Sequence, residues 1–317
     1  MVDLRVTLGS LTLANPVLAA AGTFGYGTEF TRAVPLDRLG GLVVKTLTRH
    51  PREGHPPPRL VESPFGMLNA VGLQNIGLDA FLREKLPALR RFRVPLIVSI
   101  LSDTPEELAE MVTQLDTADR VDAIELNLSC PNVRGHGTRG TGRETTEASP
   151  ARMVAQDPEA TFRMVEAARV ATRKPLIAKL SPDVTDLIPI AQAAERAGAT
   201  ALTIANTYTG MSVDIAARRS RLGAPTGGLS GPAIRPLTVY RVWYTARAVR
   251  IPIIGLGGIV RAEDAVEFFF VGASAVAVGS ANFADPCAPL RILRGIERYL
   301  VRNRMRSLQE LRGAITP

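Results

Sequence analysis

Glu125-Leu126-Asn127-Leu128-Ser129-Cys130-Pro131-Asn132 shows how the chain is built. Ile124, Leu126 and Leu128 alternate with Glu125, Asn127 and Ser129, the period of two that a strand imposes. Pro131 has no N–H to donate, so it cannot continue a ladder. A strand ends here, and a thiol and two carboxamides sit where it gives way to a loop.

Working outward, seven more short apolar segments accompany residues 123–128: 17–21, 42–46, 96–100, 176–180, 201–205, 253–255 and 275–278. Helical patterns fall between them at 78–91, 105–116, 160–172, 187–197, 236–249 and 262–271. Thr104-Pro105 is a good start for one of these, because proline is preorganised for the first helical position. Eight β/α units predict a (β/α)8 barrel, with an open doubly wound sheet as the rival. Ahead of the first unit, residues 6–8 and 11–13 flank Gly9-Ser10, a hairpin signal, and such a hairpin can plug the bottom of a barrel. No linker or shift of composition divides residues 1–317, so one barrel domain is expected.

A 46% hydrophobic composition is ample for a large core. No apolar run approaches the roughly 20 residues of a membrane span. Asp3 and Arg5 interrupt the N-terminus, which does not read as a signal peptide. A cytoplasmic protein, with no membrane association, is the expectation. Cys130 and Cys287 provide neither a disulfide framework nor metal-ligand spacing, so no metal site is expected. His50, His55 and His136 lie in Pro- or Gly-rich sequence and read as surface residues. The net charge of +8 is spread along the chain without a basic helix, which argues against nucleic acid and for a surface that draws in anions. Against 34 arginines stand four lysines, Lys45, Lys85, Lys174 and Lys179. Lys45 and Lys179 are at strand ends, where a compact ammonium group has a use.

Chemistry in such a barrel collects at the C-terminal strand ends. In order these are Ala20-Ala21-Gly22-Thr23, Lys45-Thr46, Ser99, Asn127 with Cys130, Lys179, Asn206-Thr207, Gly255-Leu256-Gly257-Gly258 and Gly279-Ser280. Two long excursions interrupt the pattern. Residues 47–77 hold Asn69-Ala70-Val71-Gly72-Leu73-Gln74-Asn75, and residues 131–158 leave directly from Cys130, as a lid over the thiol or a partly disordered loop would.

The glycine turns at 257–258 and 279–280 can present N–H groups to a phosphate, or can simply be tight turns. Lys179 should point into the barrel, where an unpaired ammonium is costly. An anionic ligand such as a reduced flavin would balance it, and so would a core acid such as Glu125. Cys130 is a base or nucleophile, or an inert buried thiol. Asn69, Asn127, Asn132 and Asn206 with Thr207 can serve a planar ring bearing imide groups and a carboxylate, and Lys45 can bridge cofactor and substrate charge.

These residues resemble the class 1 dihydroorotate dehydrogenases, above all class 1B, the flavin subunit of the NAD-linked enzyme. The motifs that carry the resemblance are residues 69–75, 127–132, 179–182 (Lys-Leu-Ser-Pro), 227–233 (Gly-Gly-Leu-Ser-Gly-Pro-Ala), 253–258 and 276–283, in the family's order and over essentially the whole chain. The resemblance implies one FMN at the barrel mouth with dihydroorotate stacked on it. Cys130 would take the C5 proton while hydride leaves C6 for the flavin, giving orotate in pyrimidine synthesis. It implies substrate contacts from Lys45, Asn69, Ala70, Val71, Gly72, Leu73, Asn127, Asn132, Asn206 and Thr207. FMN contacts would come from Ala21, Lys45, Thr46, Ser99, Asn127, Lys179, Ala205, Gly231, Gly257, Gly258, Gly279 and Ser280.

Class 1B members work with a second subunit carrying FAD and a [2Fe–2S] cluster. Two cysteines cannot supply the usual four thiolates, so the cluster would belong to that partner, in a heterotetramer built on a homodimer core. A fumarate-linked class 1A enzyme, a flavin dehydrogenase of another dihydropyrimidine such as dihydrouracil, and a non-catalytic scaffold are the alternatives. The 134–156 loop, with Arg134, Arg139 and Arg143, is longer than class 1B leads one to expect, and residues 208–211 depart from the pattern after Asn206-Thr207.

Overall fold

The computed structural model describes residues 2–129 and 154–315. Cys130, Asn132, His136 and the expected lid up to residue 153 lie outside the described residues.

The chain begins with a hairpin, β1 (Val6–Leu8) and β2 (Leu11–Leu13), paired Val6 to Leu13. Gly9 turns it at φ +62°, and a Cβ there would press on the side chain of Thr200, the residue that leads into a barrel strand. The hairpin therefore closes the N-terminal end of the barrel, as expected.

Eight strands form that barrel: β3 (Val17–Ala19), β4 (Gly41–Val43), β7 (Leu96–Ile100), β8 (Ala123–Asn127), β9 (Leu176–Lys179), β10 (Ala201–Ile204), β15 (Ile253–Gly255) and β16 (Ala275–Val278). They pair in parallel in this order, and β16 returns to β3 to close the ring. All five residues of β7 and of β8 are buried. Both faces are covered, one by the barrel interior and the other by helices, which is why these strands read as apolar runs. A closed ring excludes the open sheet.

The helices between strands follow expectation within a few residues: Pro105–Thr117, Pro158–Val170, Ile188–Arg196, Arg235–Ala246 and Ala262–Phe270. The stretch expected at 78–91 differs. It runs as Leu78–Ala80, a wide π turn at Phe81–Lys85, then Leu86–Leu89. Pro87 explains the break, since it has no N–H to return to the preceding turn and its ring crowds the carbonyl there. A last helix, Ala288–Arg302, absent from the expected set, buries Ile292, Leu293, Ile296 and Leu300 against Ala262–Phe270 and β3.

A second sheet stands over the C-terminal end. It joins β5 (Leu60–Ser63) and β6 (Gly66–Asn69) from the first excursion to β11 (Tyr208–Gly210) and β14 (Gly227–Ser230), in the order β11-β14-β6-β5, all antiparallel. A small ribbon, β12 (Val213–Asp214) with β13 (Arg219–Ser220), lies between β11 and β14 in sequence. No described helix is long and apolar enough to cross a membrane.

Candidate active site

The barrel's C-terminal end and the second sheet enclose a cavity of about 390 Å³. Its wall takes residues from the ends of seven barrel strands and from β6 and β14. Lys45 and Lys179 belong to this wall, and among the described residues no aspartate or glutamate does. The described wall is thus electropositive, and a cleft lined by one sign of charge focuses that field. Half of the chain's four lysines are here.

Lys179 is 4% exposed. Its ammonium forms neither an ion pair nor a hydrogen bond with any described residue. Glu125, the acid suggested as its partner, is otherwise engaged. Glu125 Oε1 accepts from Ser99 Oγ (3.0 Å) and Oε2 from Thr203 Oγ1 (3.1 Å). A buried cation without a protein partner is expensive, and an anion in the cavity removes the cost.

Carboxamides and hydroxyls line the cavity next to Lys179. Asn127 Nδ2 donates to Thr46 Oγ1 (3.1 Å), and Thr46 is 2.9 Å from Ser99 Oγ. Asn206 Nδ2 donates to the Ser129 carbonyl (3.1 Å) and to Ser129 Oγ (3.0 Å). That clamp fixes Ser129, just past the end of β8. Asn69, at the end of β6, donates from Nδ2 to the Gly228 carbonyl (3.1 Å). Gly228 is required there, because any Cβ would overlap the Thr207 hydroxyl.

Residues 69–77 cross the cavity as a braced loop. Asn75 is buried, and its Oδ1 accepts from Thr48 N (3.2 Å) and Gly77 N (2.8 Å). Its Nδ2 donates to Thr48 Oγ1 and to the Leu73 carbonyl, both at 2.9 Å. Tyr26 Oη accepts from Ile76 N (3.2 Å). Burial pushes the Tyr26 phenol above its usual range, although the Ile76 N–H pulls the other way.

On the opposite wall, Gly257-Gly258 and Gly279-Ser280 line the cavity. The N–H groups of Gly258, Gly279 and Ser280 have no acceptor among the described residues. A Cβ on Gly279 or on Gly22 would meet nothing closer than 3.5 Å, so these glycines leave room rather than fill it. N–H donors and a buried ammonium that have no partner among the described residues, together with open glycine walls, fit a flat, phosphorylated, anionic group such as FMN.

A family model described as dihydroorotate dehydrogenase matches residues 3–300. The chain belongs to the dihydroorotate dehydrogenase family. It is 47% identical over 312 residues to a protein of Trichlorobacter lovleyi, covering 98% of each chain. It is 47% identical to one of Pelobacter propionicus, covering 99% of this chain and 98% of that one. A protein of Thermodesulfovibrio yellowstonii is 44% identical, covering 98% of each. All three are named dihydroorotate dehydrogenase B (NAD(+)), catalytic subunit.

Of the residues that the dihydroorotate dehydrogenase resemblance implied, the cavity gathers Lys45, Asn69, Val71, Leu73, Asn127, Asn206 and Thr207 on the substrate side. On the cofactor side it gathers Ala21, Thr46, Lys179, Ala205, Gly231, Gly257, Gly258, Gly279 and Ser280. Three stand back from the wall. Ala70 is buried with Val61, Leu68 and Leu222 under the second sheet. Gly72 packs against His55. Ser99 lies beneath Thr46, fully buried. Cys130 and Asn132 lie outside the described residues. His50 is exposed and His55 half-buried. Among the described residues no cluster of His, Cys, Asp and Glu could hold a metal ion. Sequence reasoning missed the apolar rim of Leu60, Met67, Ile234, Ile259 and Phe283, and the bracing role of Asn75. These apolar residues sit on elements of three or four residues or in a loop, too short to show a period, and Asn75 acts mostly on backbone groups, which every residue has.

Proposed function

We propose that this chain oxidises (S)-dihydroorotate to orotate, a step of pyrimidine synthesis, with FMN held in the barrel-mouth cavity. The observation that carries the reading is the cavity itself: two lysines, no carboxylate among the described residues, and the carboxamides of Asn69, Asn127 and Asn206 around one space. A substrate carboxylate would find Lys45 there, and ring imide groups would find carboxamides that both donate and accept. The N–H groups of Gly258, Gly279 and Ser280 would hold the FMN phosphate, and Lys179 would face the flavin edge that gains negative charge. Bound FMN supplies the acceptor for the hydride leaving C6.

Cys130 would take the C5 proton as a thiolate, and loss of proton and hydride makes the C5–C6 double bond. Asn206 clamps Ser129, the residue before Cys130 in sequence. A free thiol titrates near 8.5, so flavin reduction should quicken as pH rises toward that value.

Electrons would then pass to NAD through a partner subunit bearing FAD and a [2Fe–2S] cluster, in a heterotetramer around a homodimer core, within the cytoplasm. The relatives' name, catalytic subunit, supports a partner. So does the cysteine count, since two thiols cannot ligate such a cluster.

The test is anaerobic mixing of the purified flavoprotein with dihydroorotate, followed by flavin absorbance. Bleaching without a partner is expected, and Cys130→Ala should bind orotate yet bleach far more slowly. A wild-type flavin that dihydroorotate leaves oxidised would overturn the reading.

A further inference from the structure

Glu125 has no part in the chemistry above, yet it is a carboxylate buried to 3% exposure inside the barrel. An ionised carboxylate can only accept hydrogen bonds. That fixes the direction of every bond above it. Ser99 donates down to Glu125 at 3.0 Å, so its oxygen is left to accept from Thr46 at 2.9 Å. Thr46, having donated, accepts from Asn127 Nδ2 at 3.1 Å. Asn127 is then held with Oδ1 turned toward Ser129 Oγ (3.3 Å) and Asn206 Nδ2 (3.4 Å). Two amides in the cavity take their orientation from one acid beneath it.

The same acid lies under Lys179. In the barrel register Lys179 is level with Asn127 on β8 and with Thr203 on β10. Glu125 is level with Ser99 on β7 and Ile177 on β9, one inward layer below. It reaches up to the Thr203 hydroxyl at 3.1 Å. The buried negative charge therefore stands beneath the buried positive one without closing an ion pair, and leaves the ammonium aimed at the cavity. At the low effective dielectric of an interior, such a charge acts across a layer.

We propose that Glu125 is a positioning residue: it fixes the polarity of the Ser99–Thr46–Asn127–Asn206 chain and partly offsets the Lys179 charge, and so limits how strongly the cavity stabilises negative charge on a bound flavin. The proposal rests on the functional reading above for the identity of that ligand.

The test is the midpoint potential of the FMN-loaded protein, with FMN affinity measured alongside by fluorescence titration of the apoprotein. In Glu125→Gln the offsetting charge is gone and one of Ser99 and Thr203 must turn to accept. The reduced, anionic flavin is then better stabilised. The expected change is about tenfold in the reduction equilibrium, an upward shift of about 30 mV for a two-electron couple. In a Lys179→Met background the same substitution should again move the potential upward, because the acid's charge and the hydroxyl chain it orients act on the flavin whether or not the ammonium is present. A potential unchanged within twofold in the equilibrium overturns the proposal, as does a downward shift. If Glu125→Gln does not fold, Thr203→Val carries the test. It strips one of the two donors that hold the acid beneath Lys179, and should move the potential the same way by a smaller step; no movement overturns the proposal. A wild-type protein that takes up no FMN overturns the functional reading together with this one, whereas a yellow, dihydroorotate-reducible wild type with an unmoved variant sinks this one alone.

Discussion

Asn75→Ala should separate the bracing of the substrate side from the binding of the cofactor. The Asn75 side chain makes four hydrogen bonds, three of them to the backbone groups Thr48 N, Gly77 N and Leu73 O. Each is worth about 1 kcal/mol net, and a buried group left without a partner costs about 1–3 kcal/mol. Water can enter the space vacated and recover part of this. The expected loss is therefore about 2–4 kcal/mol of stability, read by urea denaturation. The loop from Asn69 to Leu73 loses its anchor while the 257–258 and 279–280 turns keep theirs. The KM for dihydroorotate should then rise by roughly tenfold or more, which corresponds to ~1.4 kcal/mol, with FMN affinity within about twofold of wild type. Stability within about 0.5 kcal/mol of wild type would refute the energetic argument. An FMN affinity that falls as far as the substrate's would refute the division of the cavity into two walls.

Three other outcomes follow. Lys179→Met should weaken FMN binding by roughly 10- to 150-fold, the worth of a charge-assisted contact of about 1.5–3 kcal/mol; fluorescence titration of the apoprotein decides it. Gly228→Ala drives a methyl into the Thr207 hydroxyl. It should cost about 1–3 kcal/mol and raise the dihydroorotate KM, and a melting temperature and KM equal to wild type would show the sheet has slack. Burial raises the Tyr26 phenol above the usual 10.0, so the folded state keeps that proton to higher pH than the unfolded state does. Its share of stability is complete below pH 10 and is lost as pH climbs through the folded value. Denaturation of wild type and Tyr26→Phe across alkaline pH should show the wild type falling more steeply; parallel curves would contradict the assignment.

The barrel was legible because its strands are buried on both faces and so announce themselves as apolar runs, with polar residues only where each run stops. Lys45, Asn127, Lys179 and Asn206 stand at those stops, and the cavity collects all four. The second sheet was not legible. Asn69 in β6 pairs with Gly228 in β14, 159 residues later, and β14 opens with two glycines that carry no strand preference. Local pattern cannot announce a pairing over such a distance. Glu125 was visible as an acid in a strand, but its partners were not: hydroxyls on two other strands claim it, and that depends on barrel register rather than on sequence spacing.

The scarcity of lysine proved the more informative signal. Lys174 lies toward the far end of the barrel, where its single ammonium donates to the carbonyls of Leu115, Ala118 and Val121 at 2.8–3.1 Å. Burial holds it below its usual range, while Asp116, Asp122 and Asp119 pull back. Lys85 stands over the Tyr26 ring, 5.7 Å from its centre, and Tyr26 in turn holds Ile76 in the 69–77 loop. Lys45 and Lys179 face the cavity. An arginine spreads its charge over a flat fork with fixed donor directions, whereas an ammonium concentrates three donors on one atom. In a chain that uses arginine 34 times, lysine is kept for a point charge or a converging set of acceptors, and two of its four uses meet in a space lined by no described carboxylate. An anion suits that space, and by the proposal above the acid beneath it limits how strongly the anion is held.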